Sequence, residues 1–122
     1  MKTNNQILTD SKSFAIRIIK LYVYLKETKN EYILSKQLLR CGTSIGANVR
    51  ESINAQSTMD FINKLNIALK EADETEYWLE LLHETSFLDE KQFESIYDDC
   101  SKIVGTLTKI IKTTKSRIEK ES

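Results

Sequence analysis

The sequence predicts an all-α fold: an antiparallel up-down-up-down four-helix bundle that assembles as a homo-oligomer. Three observations indicate this class. The 122 residues include no proline and only three glycines, so few positions interrupt a helix. Apolar residues recur at three- and four-residue steps along most of the chain. The length suits a single domain over residues 1–122, built around one core.

The first helix is predicted over residues 10–28, because Asp10 or Ser11 can cap its first turn. Its core face consists of Phe14, Ile18, Leu21 and Leu25. A second apolar set leaves only a narrow polar strip on this helix, and one core cannot bury both sets. We therefore expect another subunit to cover part of the second set, which comprises Ala15, Ile16, Ile19, Tyr22 and Val23.

The second helix is predicted over residues 31–55. Gly42 and Gly46 lie in its middle, and each lowers helix propensity by about 1 kcal/mol relative to alanine. Close approach of a neighbouring helix is the expected compensation. The residues of this helix that are predicted to face the core are Leu34, Leu38, Cys41, Ile45, Val49 and Ser52.

The third and fourth helices are predicted over residues 58–85 and 89–115. Ser57 with Asp60, and Asp89 with Gln92, have the three-residue spacing of a capping box. From Thr113 onward we expect the last helix to fray into a charged tail. Helix three again carries surplus apolar residues outside its core face, namely Ile67, Trp78 and Leu81. The alternative to the bundle is a three-helix array with a detached first helix.

Charge is segregated along the chain although the formal net charge is zero. Residues 1–56 carry nine basic and four acidic side chains, residues 57–100 carry three and twelve, and residues 101–122 carry six and two. Antiparallel packing would place these opposed blocks side by side, so helix pairing explains the pattern. A basic binding surface built from the two ends is the alternative.

No enzymatic site is indicated, and we expect no catalytic, cofactor-binding or metal-binding residues. Glu80 and His83 have the spacing of a di-iron motif, but His83 is the only histidine, so the second such motif is missing. No glycine-rich phosphate loop occurs. Cys41 and Cys100 lack metal-site spacing and are predicted to be small buried residues.

The polar residues of helix two suggest an interface. Arg40, Ser44 and Glu51 share a stripe with Asn48 beside it, and such a strip can fix helix register through hydrogen bonds within the bundle or between subunits. An ordinary solvated face and direct ligand contact are the alternatives. The predicted oligomer interface comprises Ile16, Ile19, Val23, Arg40, Ser44, Asn48, Glu51, Ile67, Glu71 and Trp78.

The C-terminal segment is the candidate nucleic-acid contact, through Lys109, Lys112, Lys115 and Arg117. A basic helix end also interacts favourably with the helix dipole, which requires no ligand. One subunit offers few phosphate contacts, so nucleic-acid binding would depend on assembly. No apolar run approaches the length of a membrane span, and no signal-type apolar core follows the polar N-terminus; we expect no membrane contact and a cytoplasmic location.

A long string of residues carries a family resemblance: Thr43-Ser-Ile-Gly-Ala-Asn-Val-Arg-Glu51, then Ala55-Gln-Ser57, Asp60-Phe61, Lys64-Leu65, Ile67-Ala68, Lys70-Glu-Ala72 and Glu74-Thr-Glu-Tyr-Trp-Leu79. With this string the chain resembles the bacterial four helix bundle protein family, also called the 23S ribosomal RNA intervening-sequence proteins. The resemblance covers nearly the whole chain.

The resemblance implies a four-helix bundle that forms a ring-like homopentamer without catalytic residues. It also implies a relationship to the accessory variability proteins of diversity-generating retroelements, which bind nucleic acid and a reverse transcriptase. Those relatives are strongly basic, whereas this chain is neutral. Ser44, Asn48, Glu51, Glu71 and Trp78 match the family's motif and are expected to be structural or interfacial.

The expected function is therefore that of a non-enzymatic, pentameric scaffold that binds RNA or a nucleic-acid-processing protein. The alternative is an adaptor that binds only protein, with its partner docked on the acidic third helix. A metal- or nucleotide-dependent enzyme is the least supported class.

Overall fold

Four helices account for most of the chain in the computed structural model, which describes residues 5–121. They are α1 (Asn5–Glu27), α2 (Leu34–Ile53), α3 (Thr58–Glu84) and α4 (Glu90–Glu121). No strand occurs among the described residues. The all-α class is confirmed.

The helices enclose one hydrophobic core to which all four contribute. Each helix packs on the next in the chain, and α1 also packs on α4. Ile7, Phe14, Ile18 and Leu25 of α1 are at most 2% exposed, so the alternative with a detached first helix is wrong. Cys41 and Cys100 are free and fully buried, as predicted, and burial raises the pKa of the Cys41 thiol to about 11.

The predicted start of the first helix at Asp10 or Ser11 is wrong, because α1 begins at Asn5. Ile7 is 1% exposed and extends the core face by a further turn. Ser11 does not cap the helix. It is buried within it, and its hydroxyl donates a hydrogen bond to the carbonyl of Leu8 at 3.3 Å.

The close approach predicted at the two glycines of α2 is confirmed. A Cβ atom on Gly42 would lie 2.8 Å from both γ carbons of Ile18, and one on Gly46 would lie 3.2 Å from the backbone oxygen of Ser11. The absence of side chains therefore lets α1 and α2 pack closely.

The second helix begins at Leu34 and not at Glu31 as predicted, and it ends at Ile53. Glu31 stands outside the helix and caps it. Its carboxylate accepts hydrogen bonds from the backbone N–H groups of Ile33, Leu34 and Ser35 at 3.2, 3.0 and 2.7 Å. These are among the amides that a helix start leaves without a partner.

The Glu31 cap gives a testable pH dependence. Burial alone would raise the pKa of Glu31, but the hydrogen bonds to its carboxylate outweigh burial and lower the pKa below 4.5. Its stabilising contribution is therefore complete above the unfolded pKa near 4.5 and is lost as the pH falls through the folded value. We expect Glu31→Gln to lower stability by about 1–2 kcal/mol at neutral pH, the magnitude of a strong cap.

Urea denaturation of wild type and Glu31→Gln from neutral pH to about pH 3 checks this expectation. The difference between the two proteins should shrink as the pH falls. The exposed Glu27, in the last turn of α1, supplies the control Glu27→Gln. A difference that does not change with pH, or an equal effect of the control, would contradict the assigned cap.

Of the two predicted capping boxes, the pair Asp89 and Gln92 is complete, whereas Ser57 and Asp60 make only one of the two bonds. The Ser57 hydroxyl accepts from the Asp60 N–H at 3.0 Å, while the Asp60 carboxylate accepts from the Gln56 N–H and not from Ser57. Asp89 and Gln92 form the reciprocal pair, at 3.0 and 2.8 Å. α3 and α4 begin within one residue of their predicted starts, and α3 ends within one residue of its predicted end.

The predicted fraying of helix four from Thr113 is wrong, because α4 continues to Glu121. Thr114 is 8% exposed, and Ile118 packs against the core. These two residues continue the spacing of core-facing residues beyond the predicted end of the helix, so the charged segment is helical.

Candidate oligomer and nucleic-acid interfaces

An apolar stripe runs along the outer side of α1. Ile16, Ile19 and Val23 are 46%, 46% and 42% exposed, whereas Phe14 and Ile18 of the same helix are buried. The core thus leaves the second apolar set of α1 partly uncovered, as the residue pattern predicts. A row of three large exposed aliphatic side chains is the kind of surface that marks an interaction site.

A groove of about 660 Å³ lies beside this stripe, between α1 and α2. Gly46 and Ala47 of α2 line it opposite Ile16 of α1. Lys12 and Arg50 also line it, so the groove is apolar with two cationic side chains. The remaining lining residues are Leu8, Thr9, Ser13, Ala15 and Thr43.

The polar part of the predicted interface forms a network between α2 and α3. Arg40 binds both carboxylate oxygens of Glu74, at 2.8 and 2.7 Å, and reaches Glu71 at 3.3 Å. The Arg40 hydrogen bond lowers the pKa of Glu74. Burial and the adjacent Glu74 raise the pKa of Glu71. This network joins two helices of one chain, which is one of the two arrangements that the sequence left open.

Three further predicted interface residues also pair within the chain. The Ser44 hydroxyl donates to the carbonyl of Arg40 at 2.7 Å, and the Asn48 amide donates to the carbonyl of Ser44 at 2.8 Å. Glu51 forms an ion pair with Lys64 of α3 at 3.2 Å. Their role between subunits stays a prediction.

Trp78 and Ile67 lie on the same side of α3 but differ in burial. Ile67 is 45% exposed, whereas Trp78 is half-buried and packs against the core. The indole N–H of Trp78 is buried and makes no well-formed hydrogen bond, although its proximity helps to lower the pKa of Glu74. Tyr77 packs edge-on against Trp78 and is 54% exposed. Trp78 therefore stabilises the fold itself, and Ile67 and Tyr77 form the accessible surface.

The four candidate nucleic-acid residues are all exposed on the last turns of α4, but they do not share one surface. Lys109 and Arg117 line a cavity of about 440 Å³ against the start of α1. Lys112 and Lys115 do not line it. The other lining residues are Gln6, Thr106, Ile110, Thr113 and Thr114.

Sequence reasoning missed the contact that joins α1 to α4. The Arg17 guanidinium pairs with Asp99 at 2.6 Å and donates to the Ser95 hydroxyl at 3.0 Å. The sequence signal for this contact is the opposite charge of the two segments, basic in residues 1–56 and acidic in residues 57–100. It predicted attraction between the segments but did not identify the partners.

Glu80 and His83, which have the spacing of a di-iron motif, make structural contacts between α3 and α4. Glu80 accepts a hydrogen bond from the Tyr97 hydroxyl at 2.7 Å. His83 stacks on Phe93, with ring centroids 4.2 Å apart, and contacts Glu90 at 2.9 Å. Its side chain is 27% exposed. Over residues 5–121, no cluster of His, Cys, Asp or Glu has the composition to hold a metal ion.

No helix in the described part of the chain combines the length and the apolar character needed to cross a bilayer.

The chain is similar to one described protein family and to solved structures of other proteins. The sequence profile of the 23S rRNA-intervening sequence protein family matches residues 3–109. A crystal structure of a protein with unknown function from the S23 ribosomal protein family of Bacteroides thetaiotaomicron VPI-5482 is similar, with a TM-score of 0.88. The two chains share 56% identity, over 88% of this chain and 96% of that one. No curated protein matches the sequence.

Proposed function

Because the chain belongs to the 23S rRNA-intervening sequence protein family, we propose that it is a non-enzymatic, homo-oligomeric scaffold that binds RNA. The observation that carries the proposal is the exposed apolar stripe of α1, which one chain leaves uncovered. The family description supplies the link to ribosomal RNA. Such a role belongs in the cytoplasm, where ribosomal RNA is found in bacteria.

The proposed scaffold is an up-down-up-down bundle of antiparallel helices. Contacts between neighbouring helices support this topology, because residue numbers rise along one helix as they fall along its partner. Between α2 and α3, Arg40 meets Glu74 while Glu51 meets Lys64. Between α3 and α4 the corresponding pairs are Glu76 with Ser101, Glu80 with Tyr97, and His83 with Glu90.

Self-association is proposed to join the exposed stripe of α1 and the adjacent α1–α2 groove of one copy to α3 of the next. The groove is apolar and carries Lys12 and Arg50. The outer side of α3 presents the exposed apolar residues Ile67 and Tyr77 together with the acidic Asp73. The two surfaces are complementary in charge and differ from each other, so contact between them is head-to-tail and can close a ring. The family resemblance suggests five copies.

A non-enzymatic role agrees with the engagement of Glu80 and His83 in contacts between α3 and α4. The proposed RNA binding depends on the basic C-terminal end of α4. A ring places one such end on every subunit and multiplies the phosphate contacts, and each neutralised phosphate adds to affinity through counterion release.

An electrophoretic mobility shift assay with a structured fragment of 23S ribosomal RNA tests the function. We expect a shift at about 50 mM salt that weakens strongly at about 200 mM, because binding is mainly electrostatic. A tRNA of matched length serves as the control for selectivity. The absence of a shift at both salt concentrations would contradict the proposal.

A second candidate function, a protein adaptor, is favoured by Tyr77, which is 54% exposed next to acidic residues of α3. Exposed tyrosines are common anchors of protein interfaces. Affinity capture in the presence of nuclease separates the two functions. An identified protein partner that is retained after nuclease treatment and released by Tyr77→Ala would support the adaptor.

A further inference from the structure

We propose that the groove between α1 and the C-terminal half of α4 binds the sugar-phosphate backbone of one RNA strand. Lys109 and Arg117 are the cations that contact phosphates, and Lys102 marks the far end of the groove. The proposal rests on the RNA-binding function proposed above and assigns that function to one surface.

The groove follows from the spacing of residues on α4. Residues 102, 106, 109, 113 and 117 are separated by steps of four, three, four and four, so they fall on one side of the helix. This side faces α1. Two cavities lie along it, of about 260 and 440 Å³, and Thr106 lines both. From Lys102 to Arg117 the row extends roughly 22 Å at about 1.5 Å per residue.

The groove is open because α1 and α4 pack together less extensively than the other neighbouring helices do. Arg17, through Asp99 and Ser95, holds the two helices together near the middle of α1. Beyond this contact, toward the end of α4, hydroxyl and amide side chains line the groove beside the apolar Phe14, Ile103 and Ile110. These polar residues are Gln6, Ser13, Thr106, Thr113 and Thr114.

The lining chemistry fits a phosphate backbone better than bases. Lysine, arginine, hydroxyl and amide groups are the usual partners of phosphate and sugar oxygens. Recognition of unpaired bases normally uses accessible aromatic rings. The one aromatic residue that lines the two cavities, Phe14, is 2% exposed. Binding should therefore depend little on base sequence.

Acidic residues limit the groove at its other end. Lys102 pairs with Asp98 at 3.1 Å, and Asp99 pairs with Arg17 at 2.6 Å. Asp10 also lines this part of the groove, and its carboxylate accepts a hydrogen bond from the Gln6 amide at 2.8 Å. These carboxylates would repel phosphates, so the strand is expected to lie on the segment from Thr106 to Arg117.

A groove between two neighbouring helices is expected to take one strand and not a duplex. Packed helices typically have axes roughly 8–10 Å apart, and a furrow between two of them accommodates one backbone. A duplex could contact only the rim. We therefore expect single-stranded RNA to bind more tightly than double-stranded RNA of the same length.

Two double variants, each of which removes two positive charges, test the assignment of RNA binding to the groove. Lys109→Gln with Arg117→Gln removes the groove cations, and Lys112→Gln with Lys115→Gln removes two cations of the same helix end outside the groove. Fluorescence anisotropy of a labelled 12-nucleotide oligouridine measures binding by the full chain, with a 12-base-pair RNA duplex for comparison. Circular dichroism confirms that each variant retains its helices.

We expect the groove variant to lose about tenfold in affinity at about 150 mM salt, and its slope of log K against log salt to flatten by about 1.4. The control variant should lose less than threefold, and the duplex should bind more weakly than oligouridine. Equal losses in both variants, or tighter binding of the duplex, would overturn the groove assignment while leaving RNA binding in place. Absence of binding by the wild type to either RNA would instead contradict the proposed function itself.

Discussion

Gly42→Ala is expected to destabilise the protein by up to about 2 kcal/mol, although alanine is the better helix former. The new Cβ would lie 2.8 Å from two γ carbons of Ile18, which is fully buried and branched at Cβ. A side chain of this kind has little freedom to move aside. Overpacking of a core costs typically about 1–3 kcal/mol, which exceeds the gain of about 1 kcal/mol in helix propensity.

The same substitution at Gly105 is the matched control. Gly105 lies within α4, and a Cβ there would meet no atom within 4 Å. Gly105→Ala should therefore stabilise the protein by about 0.5–1 kcal/mol. Urea denaturation at one fixed protein concentration measures both variants, since assembly makes the apparent stability depend on concentration. Stabilisation by both substitutions would show that α1 and α2 are not as closely packed as described.

Ile19→Glu combined with Val23→Glu is expected to weaken self-association by at least about tenfold at each interface. Burial of one such aliphatic side chain contributes about 1.5–3 kcal/mol, and a buried carboxylate adds a desolvation penalty. Both residues are more than 40% exposed in the single chain, so the fold should tolerate the change. Trp78, another candidate interface residue, is less suitable because it packs against the core.

Ser116→Glu provides the control for this variant. Ser116 is exposed on α4, on the side opposite to the core residues Leu107 and Ile111, and the substitution introduces the same carboxylate. Sedimentation velocity at matched concentrations should show smaller species for the α1 variant and an unchanged distribution for Ser116→Glu. An unchanged distribution for the α1 variant would refute the interface on α1.

Much of the fold is accessible from the sequence, because its strongest signals are local. The Ser57 cap and the Asp89–Gln92 capping box depend on residues three apart, and they place the starts of α3 and α4 correctly. The glycines of α2 predict the close approach of a neighbouring helix, since their low helix propensity needs compensation. The structure supplies the identity of that neighbour, Ile18 and Ser11 of α1.

The mistaken boundaries have a shared cause in tertiary contacts. Asp10 and Ser11 are good capping residues, but burial of Ile7 carries α1 past them. At α2, Glu31 provides the cap from outside the helix, whereas Ser, Thr, Asp and Asn are the usual side chains for that role. At the other end of the chain, Thr114 and Ile118 keep α4 attached to the core.

The surface features of the candidate interface residues were predictable in part. Periodicity identified the apolar stripe of α1, because an apolar set outside the core face is visible in the sequence itself. It could not show that Arg40 would pair with Glu71 and Glu74, which lie 31 and 34 residues away. Nor could it separate Lys109 and Arg117 from Lys112 and Lys115, because that division depends on where α1 packs against α4.

The mass of the wild-type chain in solution tests the central claim most directly. One chain has a mass of 14.1 kDa, and native mass spectrometry or sedimentation equilibrium over a range of micromolar concentrations reports the number of copies. We predict a homo-oligomer, with five copies as the family resemblance suggests. A single species of 14.1 kDa at every concentration would contradict self-association through the exposed stripe of α1.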